Sequence, residues 1–309
     1  MKIVFAGTPE FAVPSLDRLY ENKHDIRLVI TQKDRPRGRG KKIQFTPVKE
    51  KALEYGIEVF QPTNINSLDS IEKLKEIQPD FIVVAAFGQI LKREVLDIPR
   101  YGCINVHASL LPKYRGAAPI NWAIINGETE TGITIMNMEE GLDTGDIISQ
   151  KSIFISEDDD CQSIHDELAI LGAELLIETI EDIVAGNAIY KVQDDNKSSY
   201  SPMIFKNTGK IDWNNGAKDI VNLIRGLKSW PVAYTSYKGD NMKIHRADAL
   251  CERSKGIPGE IIKVSNDGLY VKALDGVVVI RELQFPNKRK MKIREYLAGN
   301  DIEEGIILE

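Results

Sequence analysis

The chain has 309 residues, room for two domains at the usual ~100–200 residues each, and 42% of it is hydrophobic, as in a globular protein. It contains no run of about 18 apolar residues, so no membrane span and no membrane partner are expected. Met1-Lys2-Ile3-Val4-Phe5 enters a strand pattern directly, with no signal-peptide cleavage pattern. Three scattered cysteines (Cys103, Cys161, Cys251) and four histidines, with no CxxC or HExxH spacing, argue for reduced thiols, a cytoplasmic setting and no metal. The net charge is −6, yet residues 206–309 carry 18 Lys+Arg against 14 Asp+Glu, so the basic end of this acidic protein is its C-terminal third.

Lys2 to Gly7 is a short apolar run ending in glycine. Phe11 to Tyr20 has helical spacing and Ile26 to Ile30 reads as a second strand, so the chain opens on a βαβ unit. Gly7-Thr8-Pro9 stands where a dinucleotide fingerprint would need GxGxxG, and the proline weighs against an NAD oxidoreductase. Lys33 to Lys42 (KDRPRGRGKK) has six basic residues and one acidic. Its two glycines and one proline make a helix or strand improbable, so it reads as a long basic loop, either a solvated linker or an arm that meets phosphates through Arg35, Arg37, Arg39, Lys41 and Lys42. Thr46-Pro47 is a helix start, with threonine as N-cap and proline at the first helical position. Asp80 to Phe87 is a continuous apolar run, as for a strand covered on both faces.

Tyr101 to Ile148 holds most of the informative residues. Cys103-Ile104-Asn105-Val106-His107 alternates as a strand does, so Asn105 and His107 project side by side from one face. Ser109-Leu110-Leu111-Pro112 follows, and Pro112 turns the exit into a shaped loop. Ala117 to Ile125 reads as a helix and Gly132 to Met138 as a strand, with Met136 and Met138 as core. Gly141-Leu142-Asp143-Thr144-Gly145-Asp146 is a glycine-flanked turn that supplies Asp143, with too few oxygens for an EF-hand. Ser163 to Ala185 is a long amphipathic helix, and His165 in its first turn reads as structural. Residues 186–210 lose periodicity and include the polar run Asp194 to Ser199, the best linker. After a short helix over Ala217 to Leu227, strand candidates at 232–237, 242–246, 259–264, 268–272 and 277–283 suggest a small OB-like barrel. The basic run Asn287 to Arg294, with Lys288, Arg289 and Lys290, could form an RNA-facing surface with Arg225, Lys228 and Trp230.

Asn-x-His-x-Ser-Leu-Leu-Pro at 105–112, Arg-Gly-Ala-Ala-Pro-Ile at 115–120 and Gly-Leu-Asp-Thr-Gly-Asp at 141–146 closely resemble the folate-dependent formyltransferases. The resemblance spans nearly the whole chain, including Ala6-Gly7-Thr8-Pro9 and Thr31-Gln32-Lys33-Asp34-Arg35-Pro36. It is strongest to the branch whose acceptor is methionyl initiator tRNA. It implies an α/β fold with a Rossmann-like catalytic domain over 1–189, a linker over 190–207 and an OB-like tRNA-binding domain over 208–309. It also implies 10-formyltetrahydrofolate as donor and charged initiator tRNA as partner of a monomeric enzyme. Phe87, Gly88, Gln89, Ile90 and Leu91, with Ser109, Leu110, Leu111 and Pro112, would line the folate site. Arg39 stands out in the arm. Ala108 replaces the family's glycine, which puts a strained backbone there in doubt.

Formyl transfer to an amine passes through a tetrahedral oxyanion and needs one group that moves protons. A carboxamide at Asn105 can donate to the oxyanion, an imidazole at His107 can move the proton, and Asp143 can orient the imidazole. Ser109 lacks the GxSxG setting of a nucleophile, so no covalent intermediate is expected. Small amines (glycinamide ribonucleotide, an amino sugar nucleotide) or water as acceptors would need neither the basic arm nor the basic barrel, and a binding-only protein would not need the Asn–His–Asp set.

Overall fold

The computed structural model describes residues 1–37, 42–252 and 254–309. Contacts divide the chain into two compact units, one of residues 1–116, 130–154 and 165–201, the other of residues 117–129, 155–164 and 202–309.

The first unit is built on a seven-stranded sheet. In spatial order its strands are Ile147–Phe154, Glu130–Asn137, Cys103–His107, Phe81–Ala85, Lys2–Gly7, Asp25–Ile30 and Val59–Phe60. The five from Cys103–His107 to Val59–Phe60 are parallel, Glu130–Asn137 pairs antiparallel with Cys103–His107, and Ile147–Phe154 pairs antiparallel with Glu130–Asn137. Strands covered on both faces should be uniformly apolar, and Phe81–Ala85 is buried at every position. From Lys2–Gly7 the chain order runs outward in both directions, so the strand order reverses between Lys2–Gly7 and Phe81–Ala85. Loops leaving the carboxyl ends of two such strands diverge and open a crevice.

The helices start as their sequences require. Thr46 caps the Pro47–Glu54 helix, its hydroxyl accepting from the Lys49 backbone N–H at 3.2 Å, and Pro47 fills the first turn where no amide partner is needed. Cys161–Ala185 forms one 25-residue helix. Its Gly172 lies so close to the sheet that a Cβ there would meet Val106 Cγ1 at 2.8 Å. Helix Leu68–Ile77, helix Arg93–Leu96 and strand Ile147–Phe154 are additions to the elements read from sequence.

One expectation is corrected. Arg35–Arg37 and Lys42–Gln44 pair as short antiparallel strands, Pro36 opposite Ile43, because backbone pairing between the two segments outweighs the local preference that Pro36 sets. The 186–210 stretch makes pairings of its own. Lys191 bridges Ile147, and Tyr200–Ser201 pairs in parallel with Arg115–Gly116.

In the second unit, strands Ala233–Tyr237, Asp240–Leu250, Val277–Gln284, Gly268–Lys272 and Ile261–Ser265 form an antiparallel sheet in that order, with Met291–Lys292 added on Val277–Gln284. The C-terminal segment hydrogen-bonds to both sheet edges: Glu309 exchanges backbone bonds with Ser236, and Leu308 donates to the Gly259 carbonyl. Hydrogen bonding therefore runs right round this β-rich unit, which protects both edge strands. Its core gathers Trp213, Ile220 and Ile224 with Met242, Ile244, Ile280 and Leu283.

Candidate active site

Asn105 and His107 stand at the carboxyl edge of the sheet, on the strand next to Phe81–Ala85. Strand alternation sends Ile104 and Val106 to one face and Asn105 and His107 to the other. His107 is only 5% exposed. Its Nε2 lies 3.0 Å from the Tyr114 carbonyl oxygen. A carbonyl can only accept, so Nε2 carries a proton and donates it, which leaves Nδ1 as the nitrogen free to gain or lose one. Nδ1 faces Asp143 Oδ2 at 3.7 Å. That is too long for a hydrogen bond but within ion-pair range once the ring is charged.

Asp143 is itself held in place. Its φ is +54°, a left-handed conformation that aspartate tolerates better than most residues. Its Oδ2 accepts from the Gly116 N–H at 2.8 Å. Gln193 Nε2 donates to the Asp143 and Gly145 carbonyls at 2.8 and 2.7 Å, while Gln193 Oε1 accepts from Arg115 Nε and Nη2 at 3.0 and 2.8 Å. The Ser201 hydroxyl lies 3.1 Å from the Tyr114 carbonyl oxygen and 3.0 Å from that of Arg115. The Tyr114–Gly116 segment thus grips the ring on one side and fixes its acid on the other. Gln193 and Ser201 were not legible as site residues. They lie in the aperiodic stretch after residue 186, and only tertiary pairing brings them here. Asn105 is half-buried, and among the described residues its carboxamide has no hydrogen-bond partner, so it remains available to a ligand.

The expected donor loop lies next to this strand edge. The Phe87 carbonyl accepts from Thr8 Oγ1 at 3.3 Å and Gln32 Nε2 at 3.2 Å, so loops on both sides of the strand-order reversal are tied together. Gln89 accepts from the Ile65 N–H, and Asn66 donates to the Ile90 carbonyl. Gly88 and Ile90 are exposed, whereas Phe87 and Leu91 are 2% exposed and belong to the core. Ser109 is fully buried, its hydroxyl donating to the Lys113 carbonyl, and Leu111 packs with Met136 and Ile147. Leu110 and Pro112 are half-buried. Ala108 is buried without a positive φ, so the extra methyl imposes no left-handed strain. The groove lined by Lys75, Asp80, Glu94 and Arg100 lies at the opposite, amino end of the parallel strands.

The amino-terminal portion, residues 1–180, matches the formyl transferase family model, and residues 203–301 match the model of the formyl transferase C-terminal domain. The methionyl-tRNA formyltransferases of Clostridium acetobutylicum and Caldanaerobacter subterraneus are each 54% identical to this chain over the full length of both proteins. The chain belongs to the methionyl-tRNA formyltransferase family. A solved sugar N-formyltransferase and a solved N-formyltransferase share the fold. The first, crystallised in the presence of dTDP and 5-N-formyl-THF, aligns with TM-score 0.67 at 24% identity, over 94% of this chain and 99% of its own. The second, from Helicobacter canadensis, aligns with TM-score 0.69 at 24% identity, over 91% and 99%.

In this formyltransferase the basic candidates differ in setting. Arg35 is exposed. The side chains of Arg37 and Lys42, and Arg39 and Lys41 entirely, lie outside the described residues. Lys288, Arg289 and Lys290 are exposed on one turn, where Lys288 donates to Asn300 and Lys290 pairs with Glu282 at 3.1 Å. Arg225 is engaged elsewhere, donating to the carbonyls of Ser156, Glu157 and Asp159, and Lys228 pairs with Asp160. Of that trio only Trp230, 57% exposed, presents a free face. His165 packs edge-on against Phe11 at 5.5 Å, a structural role. Burial pushes the Cys103 thiol well above its ordinary pKa, so it stays protonated and inert.

Gly145 makes the Asp143 turn possible. A Cβ there would sit 1.8 Å from the Asn137 carbonyl oxygen, inside the backbone of the adjoining strand. Gly145→Ala is expected to cost about 1–3 kcal/mol of stability by overpacking and to lower turnover by displacing Asp143. Thermal unfolding beside a formyl-transfer assay checks both, and an unchanged melting temperature would contradict it.

Proposed function

We propose that the enzyme transfers the formyl group of 10-formyltetrahydrofolate to the α-amino group of methionyl initiator tRNA, in the cytoplasm, for translation initiation. The observation that carries this reading is the imidazole of His107, held at Nε2 and facing Asp143 at Nδ1, beside an unpaired Asn105 carboxamide, in a chain that aligns end to end with methionyl-tRNA formyltransferases. The neutral amine attacks the formyl carbon, and Asn105 donates to the oxyanion that forms. His107 takes the amine's surplus proton on Nδ1, beside Asp143, and returns it to the departing folate nitrogen. No bond to the enzyme forms. The solved formyltransferase crystallised in the presence of 5-N-formyl-THF supports a folate donor.

Residues 87–91 and 109–112 form the donor site in this reading, with Gly88, Ile90, Leu110 and Pro112 accessible and the buried members shaping the loops from beneath. Residues 1–189 carry catalysis and residues 208–309 bind tRNA, joined by 190–207. Arg35, Arg37, Arg39, Lys41 and Lys42 in the arm and Lys288, Arg289 and Lys290 in the C-terminal unit contact phosphates. Incubation with 10-formyltetrahydrofolate and charged initiator tRNA should yield N-formylmethionine. Activity should fall steeply with added salt, because each phosphate contact releases counterions. Formylation of a small amine without formylation of the tRNA would overturn this reading.

A further inference from the structure

The two ends of the basic arm are joined by a compact polar network. Thr31 Oγ1 and Thr46 Oγ1 lie 2.8 Å apart. Asp34, one residue before the Arg35–Arg37 strand, accepts from Lys49 Nζ at 2.5 Å, and both side chains are largely buried, 18% and 15% exposed. Gln61 bridges them: its Oε1 accepts from Lys49 Nζ at 2.9 Å, and its Nε2 donates to Asp34 Oδ1 at 2.9 Å and to the Gln32 carbonyl at 2.8 Å. Gln32 in turn donates to the Phe87 carbonyl. A continuous chain of hydrogen bonds therefore runs from Lys49 at the root of the arm to the loop expected to hold the donor. Lys49 also lies 4.0 Å from the centre of the Phe45 ring, just past the returning strand. Burial opposes ionisation of Asp34, but the bonds from Lys49 and Gln61 outweigh it and hold the carboxyl below its ordinary pKa.

We propose that Asp34, Lys49 and Gln61 are positioning residues that fix the direction in which the arm leaves the sheet relative to the donor loop, and so set the use of the tRNA acceptor. The inference rests on the reading of the arm as a tRNA contact. A largely buried ion pair with its remaining acceptors satisfied is directional in a way that a surface pair is not, because each partner has one low-energy geometry. The donor loop has pins of its own in Gln89 and Asn66, so loosening the network frees the arm and leaves the loop in place.

The test measures KM and kcat for charged tRNA, folate affinity by titration with 5-formyltetrahydrofolate, and melting temperature, in Lys49→Met, Gln61→Leu and Arg35→Ala. Gln61→Leu removes no charge and guards against misfolding of Lys49→Met. The network variants should raise the tRNA KM about ten- to a hundredfold, as misplacement of a remote contact does, with kcat and folate affinity within about twofold. Lys49→Met combined with Arg35→Ala should lose less than the product of the two single effects, since both act through one element. If Arg35→Ala raises KM while both network variants leave it unchanged, the positioning role is overturned and the arm reading stands. If Arg35→Ala also has no effect, the arm reading fails and takes this inference with it. A loss of folate affinity equal to the rise in KM would assign the network to the donor loop instead.

Discussion

His107→Ala is expected to lower kcat by about 10²–10⁴-fold, the usual contribution of a positioned proton carrier, while folate binding persists. The imidazole is the group at this strand edge with one ring nitrogen fixed by a carbonyl and the other left to exchange a proton. Its removal also takes one donor from the Tyr114 carbonyl, but the Ser201 hydroxyl lies within reach of the same oxygen, so the segment retains a partner and the fold should hold. Single-turnover formyl transfer at saturating folate, beside a folate titration, separates the two effects. Near-normal turnover would remove the role assigned to His107. His107→Gln should fare little better, because a carboxamide replaces the ring's donor but cannot cycle a proton at neutral pH.

Asn105→Ala should lose about 10²–10³-fold in kcat, the usual cost of one oxyanion donor, or ~2.7–4 kcal/mol of transition-state stabilisation. The side chain is half-buried and forms no hydrogen bond to the described protein. Truncation therefore leaves no orphaned partner, and the melting temperature should move little. That pairing of a large kinetic effect with a small thermal one separates a transition-state role from a structural one. If stability and turnover fell together, Asn105 would be a structural residue after all.

Much of the fold was legible because its signals are local. The apolar run ending at Gly7, the uniformly apolar Phe81–Ala85 strand and the Thr46-Pro47 helix start each follow from residues within one window. The edge strand Ile147–Phe154 was not read, because its middle is exposed and polar and its pairing with Glu130–Asn137 is a long-range property. The glycines and proline of the arm predict a loop, yet Arg35–Arg37 and Lys42–Gln44 pair as strands. Arg225 and Lys228 show the limit of reading charge: both look available to RNA in the sequence, and both are engaged within the second unit.

The sequence by itself carried the family in its motifs at 105–112, 115–120 and 141–146, and it set Asn105 and His107 side by side, because they are two residues apart on a strand and local geometry alone puts them on one face. It could not determine what holds them. Asp143 reaches His107 across 36 positions, and Gln193 and Ser201 come from still farther along the chain. Only the folded sheet, the positive-φ turn at Asp143 and the pairing of Tyr200–Ser201 with Arg115–Gly116 decide which ring nitrogen is free. Side-chain identity is written residue by residue, whereas a hydrogen-bond partner is whatever the whole chain's packing brings within about 3 Å.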